Sequence, residues 1–274
     1  MARLLRIARV AWAALALAGP VAAADNAATH AAAESPAVKV WSSAFTNGVA
    51  DWPFSGSNWG DVNRSYAEDP AVDGRVLRVF IGKGSTDPAT MAQALRPVGG
   101  QGMKLKLDGL RAEAARLSFK VKLPADFKPG LGGKLGPGLC GGSCNGGGRI
   151  PTGADGWSAR IGFDEHGNGS VYAYLPDSIS WGTVVGTVPL ARGRWTSVVE
   201  EVRLNTVGQA DGQIKVWADG HLVVDRQGLV FRTTDSLKID GLYFDTFYGG
   251  QGPQFAAPQD TVIEFAEFAV YAVE

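Results

Sequence analysis

The sequence predicts an all-β fold, a two-sheet antiparallel jelly-roll β-sandwich, and three observations predict it. Short runs that alternate apolar and polar residues recur along the chain; turn-forming residues, among them 37 glycines, separate those runs; and no segment sustains a helical period with caps. Period two with β-branched and aromatic enrichment marks strands buried on one face, and strands at this spacing suit a sandwich.

Taken in order, the first clear strand is Arg75 to Ile81 and the second Ala115 to Val121. The stretch from Pro129 to Gly156 is dominated by glycine, with few apolar residues to pack, and is expected to be a long loop. Next comes a hairpin, Trp157 to Phe163, a turn through Glu165 to Gly169, and Val171 to Leu175. Further strands are expected at Ser197 to Leu204, at Gln213 to Trp217 joined through Asp219-Gly220 to Leu222–Val224, at Leu237 to Phe247 and at Thr261 to Ala272.

Ahead of these strands, Arg3, Arg6 and Arg9 precede the apolar run from Val10 to Leu17 and the small residues Val21 to Ala24. Residues 1–24 therefore read as a secretory signal peptide, since the run is too short to cross a hydrocarbon core. The expected location is periplasmic or extracellular. Residues 25–38 are Ala-rich and read as a disordered lead-in, leaving 39–274 as one domain. With 26 basic and 27 acidic residues, the chain has no bulk field for nucleic acid or a membrane surface, so any anion must meet a local basic site. A monomer is expected. In an oxidising compartment Cys140 and Cys144 can close a short disulfide loop, and His30, His166 and His221 show no zinc spacing to them. No cofactor is expected, although a structural Ca²⁺ held by carbonyl and Asp oxygens would leave no motif.

The hairpin carries the sharpest chemical signal. Alternation puts Trp157, Ala159, Ile161, Phe163, Val171, Ala173 and Leu175 on one face and Ser158, Arg160, Tyr172 and Tyr174 on the other. Pairing Phe163 with Val171 would set Arg160 opposite Tyr174 and Gly162 opposite Tyr172. An arginine fork suits a carboxylate, a phenol whose pKa is lowered by cations suits proton transfer, and Lys134 in the glycine loop can reach over the platform. Spacing alone also fits ordinary strand aromatics with a solvated arginine, and His166 reads as a solvated turn residue. Nucleophile elbow, phosphate loop and paired-carboxylate motifs are all missing.

Five segments in order, Gly132-Gly133-Lys134-Leu135-Gly136-Pro137-Gly138-Leu139, Ser158-Ala159-Arg160, Tyr172-Ala173-Tyr174-Leu175-Pro176, Val202-Arg203-Leu204-Asn205 and Thr246-Phe247-Tyr248-Gly249-Gly250, resemble the family 14 polysaccharide lyases from about Leu117 onward. The resemblance implies a jelly roll with a concave substrate cleft lined by Lys134, Ser158, Arg160, Tyr172 and Tyr174. It also implies β-elimination on a 1,4-linked uronic-acid polymer of the alginate or polyglucuronate type. Which residue is base and which acid stays open, and Ser158 would bind substrate or orient a neighbour. Gly136 adds one residue to the family's lysine loop. On the strand near 241–248, Asp245 shares a face with Tyr243 and Phe247, and Tyr243 and Asp245 are expected to border the cleft and contact substrate, the alternative for Asp245 being a satisfied surface aspartate. The rival reading is a non-catalytic carbohydrate-binding jelly roll of the cell envelope, with aromatics stacking on sugars.

Overall fold

The structure is a computed structural model that describes residues 36–274 apart from position 57. The expected signal peptide, and the lead-in up to residue 35, lie outside the described residues. Fifteen strands follow: β1 (Ala37–Ser43), β2 (Arg64–Glu68), β3 (Arg75–Ile81), β4 (Gln101–Lys106), β5 (Ala114–Lys122), β6 (Gly133–Gly136), β7 (Gly138–Gly142), β8 (Gly156–Phe163), β9 (Gly169–Tyr174), β10 (Thr183–Val188), β11 (Trp195–Arg203), β12 (Gly212–Ala218), β13 (His221–Leu229), β14 (Gly241–Tyr248) and β15 (Thr261–Val273). They form two sheets. The outer one runs β13-β12-β11-β5-β15-β3-β2, with β1 also on β15; the other runs β10-β9-β8-β6-β14-β4, with β7 between β14 and β8. Every strand pairing within the sheets is antiparallel, as a jelly-roll sandwich requires.

Alternation places the core between the sheets. Leu117, Phe119 and Val121 of β5, Val198 and Val202 of β11 and Phe265 of β15 face Trp157, Ile161 and Phe163 of β8 and Leu242 and Phe244 of β14, all buried. Aromatic edges lock this layer, with Phe244 and Phe265 at 4.9 Å and Trp157 and Phe231 also at 4.9 Å. One charged side chain joins the core from β11: Glu200 is fully buried, accepts a hydrogen bond from the Leu139 amide through Oε2, and has no partner at Oε1.

Three expectations need correction. Ala37 and Val38, placed in the lead-in, pair with Val273 and Ala272 at the start of β1. A short helix, α1 (Pro88–Gln93), is present: Asp87 accepts from the Ala89 and Thr90 amides and Pro88 takes the first position, a cap that outweighs the absence of a long apolar period. Finally, the glycine-rich stretch is not one loop. β6 and β7 run through the middle of the second sheet, with Leu135 and Leu139 in the core. The glycines are there for closeness: a Cβ on Gly138 would lie 1.7 Å from the Ala159 carbonyl oxygen. The extra Gly136 is absorbed as a bulge, where the β6–β8 register slips between Lys134 and Gly136 and Gly136 takes φ 107°.

Candidate active site

The polar face of β8 becomes the floor of a cleft because β9 flanks it on one side and β6 and β7, with β14 beyond them, on the other, and the segment from Cys144 to Gly148 crosses above it. The observed β8–β9 register sets Arg160 opposite Tyr172 and Ser158 opposite Tyr174, two residues from the expected pairing. The cause is the turn. Asp164 accepts the His166 and Asn168 amides, and its own amide donates to the Asn168 carbonyl, so the loop closes at Asn168 and Phe163 pairs with Gly169. A shift of two preserves the faces, and the platform survives.

Arg160 is 1% exposed. Its Nη1 donates to Asp245 Oδ2 at 2.6 Å, while Nε, Nη2 and the second Asp245 oxygen have no partner. The guanidinium lies 4.3 Å from the Tyr243 ring centre and 5.5 Å from that of Tyr174. Although burial opposes its charge, Asp245 and the surrounding tyrosines hold Arg160 ionised, above the ordinary arginine value. Two unsatisfied buried donors beside an open volume are what a carboxylate ligand would complete.

Lys134 is not on a free loop but fixed in β6, opposite Gly162 on one side and Phe247 on the other. Its Nζ stands 3.7 Å from the Tyr172 ring centre. Burial and then the charge of Arg160 bring its pKa down to about 7, with Asp245 pulling the other way. The phenols move in the opposite sense to the sequence expectation. Burial raises Tyr172, reinforced by Tyr174, and the pull of Arg160 does not offset it; burial and then Asp245 push Tyr243 up to about 12. In neutral solution both are proton donors rather than bases. The Tyr174 hydroxyl accepts the Gly148 amide at 3.0 Å, and the Tyr172 and Tyr174 rings meet edge to face at 5.7 Å.

Six of the seven expected site residues, Lys134, Arg160, Tyr172, Tyr174, Tyr243 and Asp245, line one cleft of about 670 Å³. Ser158 does not. It is fully buried, and its hydroxyl donates to the Asn145 carbonyl, holding the overlying segment in place. Phe247, on the same face as Tyr243 and Asp245, joins the lining, and further lining comes from residues that sequence reasoning passed over: Trp59, Trp181 and Phe255, with Asp87 to Ala89 at the start of α1. Trp59 and Phe247 stand 6.1 Å apart, and Trp181 is 47% exposed at the rim. Cys140 and Cys144 form a disulfide at the root of the crossing segment. Among the described residues no group of three or more His, Cys, Asp or Glu is placed to hold a metal ion. His166 is exposed in its turn, away from this lining.

Comparison with known proteins bears on the fold and the family. The family model described as Polysaccharide lyase 14 matches residues 69–268. A marine family 14 alginate lyase from Aplysia kurodai superposes with a TM-score of 0.73 at 28% identity, covering 85% of this chain and 98% of that one. An alginate lyase from a Chlorella virus gives 0.70 at 22%, covering 86% and 100%. An endo-β-1,4-glucuronan lyase from the fungus Trichoderma reesei gives 0.53 at 13%, covering 86% and 96%, a likeness of fold. No curated protein sequence matches. The matched span runs from ahead of β3 into β15 and takes in Lys134, Arg160, both tyrosines of β9 and Asp245, and on that ground the chain belongs to polysaccharide lyase family 14.

Proposed function

We propose that this lyase cleaves a 1,4-linked uronic-acid polymer, of the alginate or polyglucuronate type, by β-elimination, and that it does so outside the cytoplasm. The observation that carries the mechanism is the juxtaposition in one cleft of Lys134, its Nζ on the Tyr172 ring and its pKa near 7, and Arg160, whose charge acts on Lys134 and which has two unsatisfied donors. Arg160 meets the C6 carboxylate and makes the C5 proton acidic. Neutral Lys134 removes that proton, the electron pair forms the C4–C5 double bond, the C4–O bond breaks, and a tyrosine of β9 protonates the departing O4. Tyr172, held protonated by burial and beside Lys134, suits the donor role, with Tyr174 next to it.

Trp59, Phe247 and Trp181 offer faces for the sugar rings on either side of the reacting bond. Asp245 acts on substrate through Arg160, orienting the fork; Tyr243 stacks on that fork. The reaction needs no cofactor in this scheme. Export is supported by the arginine-flanked apolar run at the N-terminus and by the Cys140–Cys144 disulfide. The test is ultraviolet absorbance of the conjugated product during incubation with a panel of uronic-acid polymers. Rising absorbance on one polymer, abolished in Lys134→Ala and reduced in Tyr174→Phe, is expected; flat traces across the panel with retained polymer binding would instead make the cleft a binding site.

A further inference from the structure

The cations on the cleft face of the second sheet differ in how they are paired. Lys106 of β4 has Asp240, and Arg160 has Asp245. Lys104 of β4, half-buried, has no carboxylate within ion-pair reach among the described residues; its Nζ donates only to the Ser143 carbonyl, at 2.9 Å. It does not line the reacting part of the cleft. Instead it stands directly across from Tyr243 in the β14–β4 register and lies 4.8 Å from the centre of that ring, which has Arg160 at 4.3 Å. One aromatic side chain therefore separates two cations, one at the reacting carboxylate position and one beyond it.

A third cation is near. Arg149 follows the segment that crosses the cleft, is largely exposed, and reaches Asp155 only at 3.4 Å. Lys104 is held below the ordinary lysine value by burial and by Arg160, against Asp245, with Arg149 adding to the effect. In a chain with a formal net charge of −1, Lys104 without a carboxylate partner and Arg149 with a single long pair to Asp155, beside a buried arginine, form a local excess of positive field. Such an arrangement is costly in the free protein and is relieved by an anion.

The geometry points to a second carboxylate subsite, centred on Lys104 across Tyr243 from Arg160 and assisted by the charge of Arg149, that takes the carboxylate of a neighbouring uronate in the same polymer chain. This rests on the uronate-lyase reading above and extends it: the cleft recognises a run of charged sugars and not a single acidic residue. The subsite contributes to holding the polymer and takes no part in breaking the bond.

Its test uses alginate and polyglucuronate with the wild type and Lys104→Met, Lys104→Arg and Arg149→Ala. Methionine keeps the buried stem and removes the charge, and the exposed Arg149 side chain can be removed with little risk to the fold. Lys104→Met and Arg149→Ala are each expected to raise KM by about threefold to tenfold, the range for losing one partly screened charge contact, with kcat within about twofold. Both should also flatten the dependence of KM on salt, and Lys104→Arg should restore both quantities. Unchanged KM and salt dependence in both charge-removing variants would overturn the subsite, as would a fall in kcat shared by Lys104→Met and Lys104→Arg, which would mark Lys104 as a strut for the Ser143 carbonyl. Should the wild type make no product on either polymer, the lyase proposal fails while the subsite stays testable. Tryptophan fluorescence titration with the same polymers then decides it, weaker binding by the two charge-removing variants supporting it and equal binding refuting it.

Discussion

In the proposed mechanism Lys134 is the residue on which the chemistry turns, and its setting yields a pH prediction. A base must be neutral to accept a proton, and burial with Arg160 nearby places the loss of its own proton near pH 7. kcat/KM should therefore rise with pH through about 7 and level off above it, in a profile measured on the free enzyme with dilute polymer. A profile flat from pH 5 to 9 (a range of about four units, wide enough to expose a single titration) would remove Lys134 from the base role. Lys134→Ala should lower kcat by at least about 10²-fold, the usual contribution of a positioned base. Ser158 belongs to a different class of effect. Ser158→Ala leaves the Asn145 carbonyl without its buried donor, so about 1–3 kcal/mol of stability should be lost in chemical denaturation. At this scale, strand parity made the polar face of the hairpin legible from sequence. The direction of the tyrosine shifts was not legible, because burial depends on the segment that crosses above β8, and nothing in the local sequence announces it.

At the scale of elements, the lysine strand β6 and its neighbour β7 run through a stretch whose glycine content predicts a loop. Propensity and composition argued against strands, yet β6 and β7 sit in mid-sheet because flanking backbones approach too closely for a Cβ. Gly138→Ala should fail to fold or lose more than about 3 kcal/mol, with backbone atoms barring the way. Gly208→Ala, which meets nothing within 4 Å, carries only the strain of its positive φ, about 1 kcal/mol by comparison. Thermal melts of the two variants side by side check this, and equal losses would contradict it. The crossing segment has its own anchor in Asp155, which receives the Thr152 amide and hydroxyl and the Asn145 side chain. Burial favours its neutral form, but those hydrogen bonds prevail and hold it down at about 2. Being depressed, it stabilises the fold above the ordinary carboxylate range, and that contribution is lost as pH falls from about 4 to about 2. The helix α1 was missed for want of length, although Asp87-Pro88 was its signal. Trp59, in a single bridge to Gly102, Trp181, in a bend, and Phe255, in a three-residue 3-10 helix, were missed because such pieces are too short for a period to place them.

For the whole molecule, the alternating runs were enough to reveal the sandwich: β3, β5, β11, β12 and β15 each fall within a residue or two of where period two puts them. Order within the sheets was not legible, since β4 and β14 pair across more than a hundred positions of chain. The core also contains one group that governs stability against pH. Burial lifts Glu200 to about 8, with the Leu139 amide opposing, so the native state keeps a proton that the unfolded chain has already released. Its contribution is complete below the ordinary glutamate range near 4.5 and is lost as pH rises through about 8. Glu200→Gln should therefore melt with less dependence on pH between these values than the wild type, and identical slopes would show that Glu200 does not titrate with folding. The central claim, that the cleft around Lys134 and Arg160 breaks its polymer by elimination, is tested most directly by the mass of the fragments. Elimination predicts a new non-reducing end that is one water lighter than a hydrolytic one, released by the wild type and not by Lys134→Ala; fragments that have gained a water, or release unaffected by losing Lys134, would contradict it.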